Sequence, residues 1–218
     1  MSVPRNRSPV KRREYDGRGR QAAAQLARTA VLDAAWQRFS ADGFAVTTVE
    51  VLADDAGVST ATIYKGFGGK AGIVRALVTR ALEGDPVATQ AAEVRSDMAR
   101  ETVADGRELV AAWGRLMTEV APRVAPILLL LRDVAPHDPA AASLFAELER
   151  DRLTRMADNA RVLHRLGALR NGVTRATARD IMWSYTAPDL YDVLVRRRGW
   201  SVRRYATFAT DGIVAALL

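Results

Sequence analysis

The sequence predicts an all-α protein in two parts, a small helix-turn-helix unit near the N-terminus and a larger helical unit behind it. Three observations predict this. Apolar residues recur at helical spacing between breaks made by glycine and proline, and no segment alternates polar and apolar residues as a half-buried strand would. The excess positive charge is concentrated in the first third of the chain: residues 1–80 hold thirteen Lys or Arg against seven Asp or Glu, and residues 81–218 hold nineteen against eighteen.

Residues 1–24 are rich in Arg, Pro, Gly and Ser without a period, and they read as a flexible basic arm carrying Arg5, Arg7, Lys11, Arg12, Arg13, Arg18 and Arg20. From Arg28 to Ala41, Val31, Ala35 and Phe39 fall at helical spacing, and Asp42-Gly43 stops that helix. Thr47 or Thr48 caps a short second helix that ends at Ala56-Gly57. Ser59 caps a third, running to about Gly66, and Gly68-Gly69 breaks the chain again. A longer amphipathic helix follows, with Ile73, Val74, Leu77, Val78, Ala81 and Leu82 on one side. Gly84-Asp85-Pro86 ends it and marks a boundary between a domain of residues 25–84 and one of residues 85–218.

Beyond that boundary, helices are expected between breaks at Gly106, Pro122, Pro136 to Pro139, Gly167 to Gly172 and Gly199. The stretch from Pro139 to Leu166 is long, with Leu144, Phe145, Leu148, Leu153, Met156, Ala160 and Leu163 in register. Thr174 caps the next helix, to about Val195, and Pro188 should kink or interrupt it. Ser201 caps the last.

Composition removes several function classes. Hydrophobic residues make up 49% of the 218, enough for a substantial core. The chain has no cysteine, which excludes disulfides, thiol nucleophiles and thiolate metal sites. No apolar stretch follows the basic N-terminus, and the apolar run from Ala125 to Leu131 is too short to span a bilayer. The expectation is a soluble cytoplasmic protein without membrane association. His137 and His164 are far apart, so neither a metal nor another cofactor is expected. With no glycine-rich phosphate loop, nucleophile elbow or His-Glu metal helix, the chain is not expected to be an enzyme. The basic first third has two open readings: a polyanion-binding part, or a solubilising tail.

The stretch from Thr47 to Phe67, TTVEVLADDAGVSTATIYKGF, has the physical requirements of a helix-turn-helix. Ala53 is small where two helices cross. Gly57, four residues on, suits a turn that needs positive φ. Ile63, six further, packs the second helix onto the first, with Val49, Leu52 and Val58 completing a miniature core. The second helix then presents Thr60, Thr62, Tyr64 and Lys65 outward, side chains suited to base edges and phosphates in a major groove. Thr47 and Thr48 put hydroxyls and free N–H groups at a helix start, a natural phosphate site, and Lys70 near the start of the fourth helix offers a cation. An ordinary tight helical hairpin is the alternative reading of the same spacing.

The run from Val31 to Leu77 resembles the N-terminal domain of the tetracycline-repressor (TetR) family. The ordered set is AA-x-x-x-F, GF before TT-V, LA-x-x-AGVS, TIY, and F-x-x-K. The resemblance implies a three-helix DNA-binding domain, a larger helical domain that binds a ligand and dimerises, and repression relieved by that ligand. It places DNA contacts on Thr47, Thr48, Ser59, Thr60, Thr62, Tyr64, Lys65 and Lys70. Members of the family often carry an aromatic residue or His before the Phe, where this chain has Gly66. The tail around RGWS is similar to the C-terminal end of some members.

The implied function is a sequence-specific transcriptional regulator, a repressor released from a double-stranded DNA operator by a small-molecule effector and working as a homodimer. The helices at about 139–166 and 174–195 are the candidates for the dimer interface. A ligand pocket is expected between residues 105 and 190, where Trp113, Met117, Met156, Trp183 and Tyr185 are large, adaptable or amphipathic. Each of these five reads more readily as a core residue than as a ligand contact.

Overall fold

The computed structural model describes residues 17–83 and 92–218, and every regular element among them is helical. Ten α-helices run in order: α1 (Gly17–Ala41), α2 (Val49–Ala56), α3 (Thr60–Phe67), α4 (Lys70–Glu83), α5 (Ala92–Thr102), α6 (Gly106–Val134), α7 (Pro139–Arg165), α8 (Arg175–Tyr185), α9 (Pro188–Tyr191) and α10 (Val202–Leu217). A π-helical stretch, Asp192–Arg197, links α9 to the turn before α10. Among the described residues no helix is long and apolar enough to cross a membrane.

Two expectations about the course of the chain are corrected. The first helix begins at Gly17, so residues 17–24 of the expected flexible arm are helical. This turn is exposed from Gly19 to Leu26, and its alanines have high intrinsic helix propensity, so apolar periodicity gave no sign of it. The rest of the arm, with Arg5, Arg7, Lys11, Arg12 and Arg13, lies outside the described residues, as does Gly84-Asp85-Pro86. The second correction is at Pro122. No break occurs there; α6 runs 29 residues through both Pro122 and Pro126. Each proline removes one helix hydrogen bond, at a cost of about 3 kcal/mol. The helix meanwhile buries Leu109, Val110, Ile127, Leu128 and Leu131, each side chain contributing roughly 1.5–3 kcal/mol. Burial outweighs the two lost bonds.

Helix ends follow from side-chain chemistry. The hydroxyls of Thr48, Ser59, Thr174 and Ser201, and the carboxylates of Asp105 and Asp138, accept backbone N–H groups in the first turns of α2, α3, α8, α10, α6 and α7. Of the two outcomes expected at Pro188, interruption occurs: α8 ends at Tyr185 and Pro188 starts α9, where its missing N–H is not needed in a first turn. Asp192, buried in the π-helical stretch, accepts from Arg196 (3.3 Å) and Arg197 (2.7 Å).

Among the described residues two large cores, with a small third cluster at Ala125, Tyr191 and Tyr205, organise these helices. One is built from Val31, Phe39, Leu52, Ile63, Ile73 and Leu77 of α1–α4, and it continues without interruption into Ile127 and Leu131 of α6 and Leu144 of α7. The second joins Leu109, Leu163, Met182, Ile213 and Leu217 of α6, α7, α8 and α10. Very close helix approach accompanies it: a Cβ added to Gly114 of α6 would lie 2.1 Å from Thr210 Oγ1 of α10. Helix α6 is therefore a member of both cores.

Leu131 is fully buried where the N-terminal helices meet the body. Leu131→Ala is expected to lower unfolding free energy by about 2–5 kcal/mol. Urea denaturation followed by helical circular dichroism checks this, and a loss below about 1 kcal/mol would show that the junction is loosely packed.

Candidate nucleic-acid interface and interior cavity

The geometry of the N-terminal unit is set at its corners. Gly57 closes α2 at φ 64°, ψ 33°, where a side chain would strain the backbone. From this turn the N–H of Val58 reaches back to the Ala53 carbonyl at 2.9 Å. Ser59 then starts α3: its Oγ accepts from the Thr62 N–H at 3.1 Å and shares a 2.9 Å bond with the Thr62 hydroxyl. Ile63 is fully buried and pins α3 to α1, α2 and α4. At the next corner a Cβ on Gly72 would lie 1.6 Å from the Phe67 carbonyl oxygen, so only glycine lets α4 start this close to the end of α3. Outside the corners, Arg38 of α1 grips Asp55 of α2 with two bonds of 2.6 and 3.0 Å, and this holds the Asp55 carboxyl below its usual pKa.

This bracing turns one face of α3 outward. Thr62, Tyr64 and Lys65 are exposed, Tyr64 by 55%, and Thr60 is half-buried at the helix start. Ser59 and Thr48 are exposed caps. Two expected contact residues are placed differently. Thr47 is only 3% exposed, and its hydroxyl donates to the Gly43 carbonyl at 2.8 Å, so it closes the loop before α2 and has no free hydroxyl to offer. Lys70 is turned inward: its ammonium donates to the Phe44 carbonyl at 2.8 Å and lies 4.3 Å from the Phe44 ring centroid. Partial burial lowers its pKa. Both residues are small-loop braces, a role decided by the path of residues 43–47 and invisible in helical spacing. Glu50, in the first turn of α2, accepts from its own backbone N–H and the Thr48 hydroxyl, which lowers its pKa and places an anion at the α2 N-terminus.

A cavity of about 280 Å³ lies inside the larger unit. Val78 and Leu82 of α4, Trp113 and Met117 of α6, Met156 of α7, Met182 of α8, and Tyr191 and Tyr205 are among its walls. Three of the five expected pocket residues, Trp113, Met117 and Met156, are therefore brought together. Trp183 and Tyr185 are not in the wall. Trp183 instead stacks under the Arg152 guanidinium, 5.4 Å from its ring centroid, and Tyr185 packs edge-on to Phe208 at 6.1 Å. Trp183 is one position around α8 from Met182 and faces away from it, whereas Tyr185, on the Met182 side, is taken up by α10 against Gly212 and Phe208. The wall residues missed from the sequence, Val78, Leu82, Tyr191 and Tyr205, come from elements whose apolar residues read simply as core. Burial pushes the Tyr205 phenol up to about 12, and its hydroxyl donates to the Tyr185 carbonyl at 3.3 Å.

The family profile "Bacterial regulatory proteins, tetR family" matches residues 31–77, the segment that holds α2, α3 and the start of α4. Residues 31–77, about a fifth of the chain, thus resemble the N-terminal segment of that family. Its overall fold is that of TetR-family regulators. SmeT in complex with triclosan has a TM-score of 0.70 at 23% identity, covering 89% of this chain and 92% of that one. SmeT is described as the repressor of the Stenotrophomonas maltophilia multidrug efflux pump SmeDEF. A TetR-family regulator from Rhodococcus sp. aligns at TM-score 0.66 and 17% identity over 89% and all of the respective chains. A transcriptional regulator from Saccharomonospora viridis in complex with choline aligns at TM-score 0.63 and 20% identity over 88% and 98%. No curated protein matches the sequence itself. Residues 31–77 thus match the family's N-terminal segment, and the described residues share the fold of these structures.

The two corner glycines give separable outcomes. Gly57→Ala should cost about 1–2 kcal/mol from left-handed backbone strain alone. Gly72→Ala should cost more, because its Cβ collides with backbone that cannot rotate away. Thermal unfolding of the two variants checks the order; equal losses would contradict the close approach of α3 and α4.

Proposed function

We propose that this chain is a transcriptional repressor that binds a double-stranded DNA operator as a homodimer and leaves it when a small molecule occupies the interior cavity. One observation carries the reading: α4 belongs to both working parts. Its Ile73, Val74 and Leu77 share the core that holds α3, and its Val78 and Leu82 form cavity wall. A molecule that favours a different position of α4 therefore changes the position of α3. The ion pair between Arg75 of α4 and Glu147 of α7 adds a second connection.

In this reading the DNA-binding domain is residues 25–84 and the sensing and dimerisation domain is residues 85–218. Thr60, Thr62, Tyr64 and Lys65 read the major groove, and Thr48 and Ser59 position the phosphates through caps and helix-start N–H groups. Thr47 and Lys70 serve the interface by fixing the α2 loop. Two reading heads a duplex turn apart require a dimer. Support for its location comes from the C-terminal surface: Phe208 is 42% exposed on α10 and Val193 is 46% exposed nearby. Helix α7, one of the expected interface helices, turns most of its large apolar residues inward, Leu153 remaining half-buried outside both cores, and its exposed positions are polar, charged or small. That leaves the 174–195 segment and α10 as the better-supported pair.

The test is fluorescence anisotropy on duplex DNA from upstream of the chain's own gene, with a salt titration and footprinting. Lys65→Ala should weaken binding to every sequence and reduce the salt slope by about one. Tyr64→Ala and Thr60→Ala should cost about 1–3 kcal/mol and relax preference at particular base pairs. Equal, sequence-blind losses from all three would refute base reading by α3.

A further inference from the structure

The two arginines of the cavity wall, Arg152 and Arg155, are already engaged, and its carboxylate, Asp151, is exposed to water. Arg152 reaches the wall from α7, but its guanidinium binds both carboxylate oxygens of Glu149, at 2.6 and 2.7 Å, and also donates to the Trp183 carbonyl at 3.2 Å. Asp151 and Arg155, the other charged wall residues, have opposite sign and stand one turn apart on α7, the spacing at which such pairs attract. Arg155 is itself engaged, and Asp151 is exposed. Tyr191 and Tyr205 hold their phenols neutral because burial raises both pKa values. The remaining wall is mostly aliphatic and aromatic.

The polar groups that remain are uncharged. Ser96 and Asn159 are buried wall residues, and the Asn159 side-chain carbonyl accepts from Arg100 at 3.1 Å. The indole N–H of Trp113, also a wall residue, is buried without a hydrogen-bond partner. A buried charge on a ligand would lose hydration and meet only arginines that are already engaged or a carboxylate, Asp151, that stays in water. An uncharged polar group loses much less and can be hydrogen-bonded. At about 280 Å³ the space is at the small end of pockets that enclose drug-sized ligands, which begin at about 300 Å³.

We propose that the cavity selects a small, uncharged, largely apolar molecule carrying a single polar group, and discriminates against both the anionic and the cationic form of the same skeleton. This rests on the reading of the cavity as the effector site. It adds the ligand's charge state, which the aromatic wall alone does not decide, since Trp113, Tyr191 and Tyr205 offer ring faces that also attract cations.

The test uses the full chain without DNA. The neutral fluorophore N-phenyl-naphthylamine is bound first, then displaced by three para-substituted biphenyls: the carboxamide, the carboxylate and the trimethylammonium. The carboxamide should displace the probe at a concentration at least tenfold lower than either ion. Ala121→Phe on α6 and Leu148→Trp on α7, two independent fillings of the space, should each weaken probe binding at least tenfold in protein whose helical circular dichroism is intact. The proposal is overturned if either ion competes as well as the amide. It is equally overturned if the probe does not bind, or binds a folded cavity-filled variant as tightly as the original chain. Operator release by the same compounds is measured separately by DNA anisotropy. A cavity that selects the amide without releasing DNA would refute the effector reading and leave the charge selectivity standing.

Discussion

The structure depends on α4 packing against two things at once. Its apolar side is too wide to be covered by α1–α3 alone, and the same helix turns Val74, Leu77 and Val78 into contact with the core that includes Ile127, Leu131 and Leu144. Burial at roughly 25 cal/mol per Å² is non-directional, so it does not choose between the small unit and the large one. It joins them. Two separately closed cores would be joined only through a linker; here the connection is a shared hydrophobic interior. Closely packed interiors transmit displacement instead of absorbing it.

The outward face of α3 follows from that arrangement and from two pieces of backbone. Gly57 allows the chain to reverse between α2 and α3, and Gly72 allows α4 to begin against the Phe67 carbonyl. With both corners held, Ile63 points to the core, and residues on the opposite side of a short helix point to water. Thr47 and Lys70 add hydrogen bonds to the carbonyls of Gly43 and Phe44 and keep the preceding loop in place. The interface thus draws its rigidity from residues behind it, and its exposed side chains are released from structural duty. Gly66, exposed and with open space where a Cβ would be, leaves one position of that face without a side chain.

The larger unit solves a different problem. Three glycines, Gly106, Gly114 and Gly212, admit Ala168, Thr210 and the Tyr185 ring at distances a Cβ would forbid, and they draw α6, α8 and α10 tightly together at one end. The cavity borders this tight contact, with Gly114 and Thr210 themselves in its wall. Arginines are abundant around it, yet Arg95, Arg100 and Arg152 are tied to Glu119, Asp97 and Glu149. A high arginine count therefore does not translate into a basic pocket.

Much of the local structure was legible in the sequence because it is governed by short-range chemistry. Thr48, Ser59, Thr174 and Ser201 are caps whatever surrounds them, and Ala53, Gly57 and Ile63 are spaced as one helix packing on another requires. The all-helical class and the presentation of Tyr64 and Lys65 follow from such rules. The tertiary structure alone decided whether Thr47 and Lys70 face outward or inward, that Pro122 does not end α6, and that Met156 reaches the cavity while Trp183 does not. Those outcomes depend on which residues distant in sequence arrive alongside. Helical period identifies the apolar side of each helix, but it carries no information about which neighbour covers that side or where the covering leaves a space.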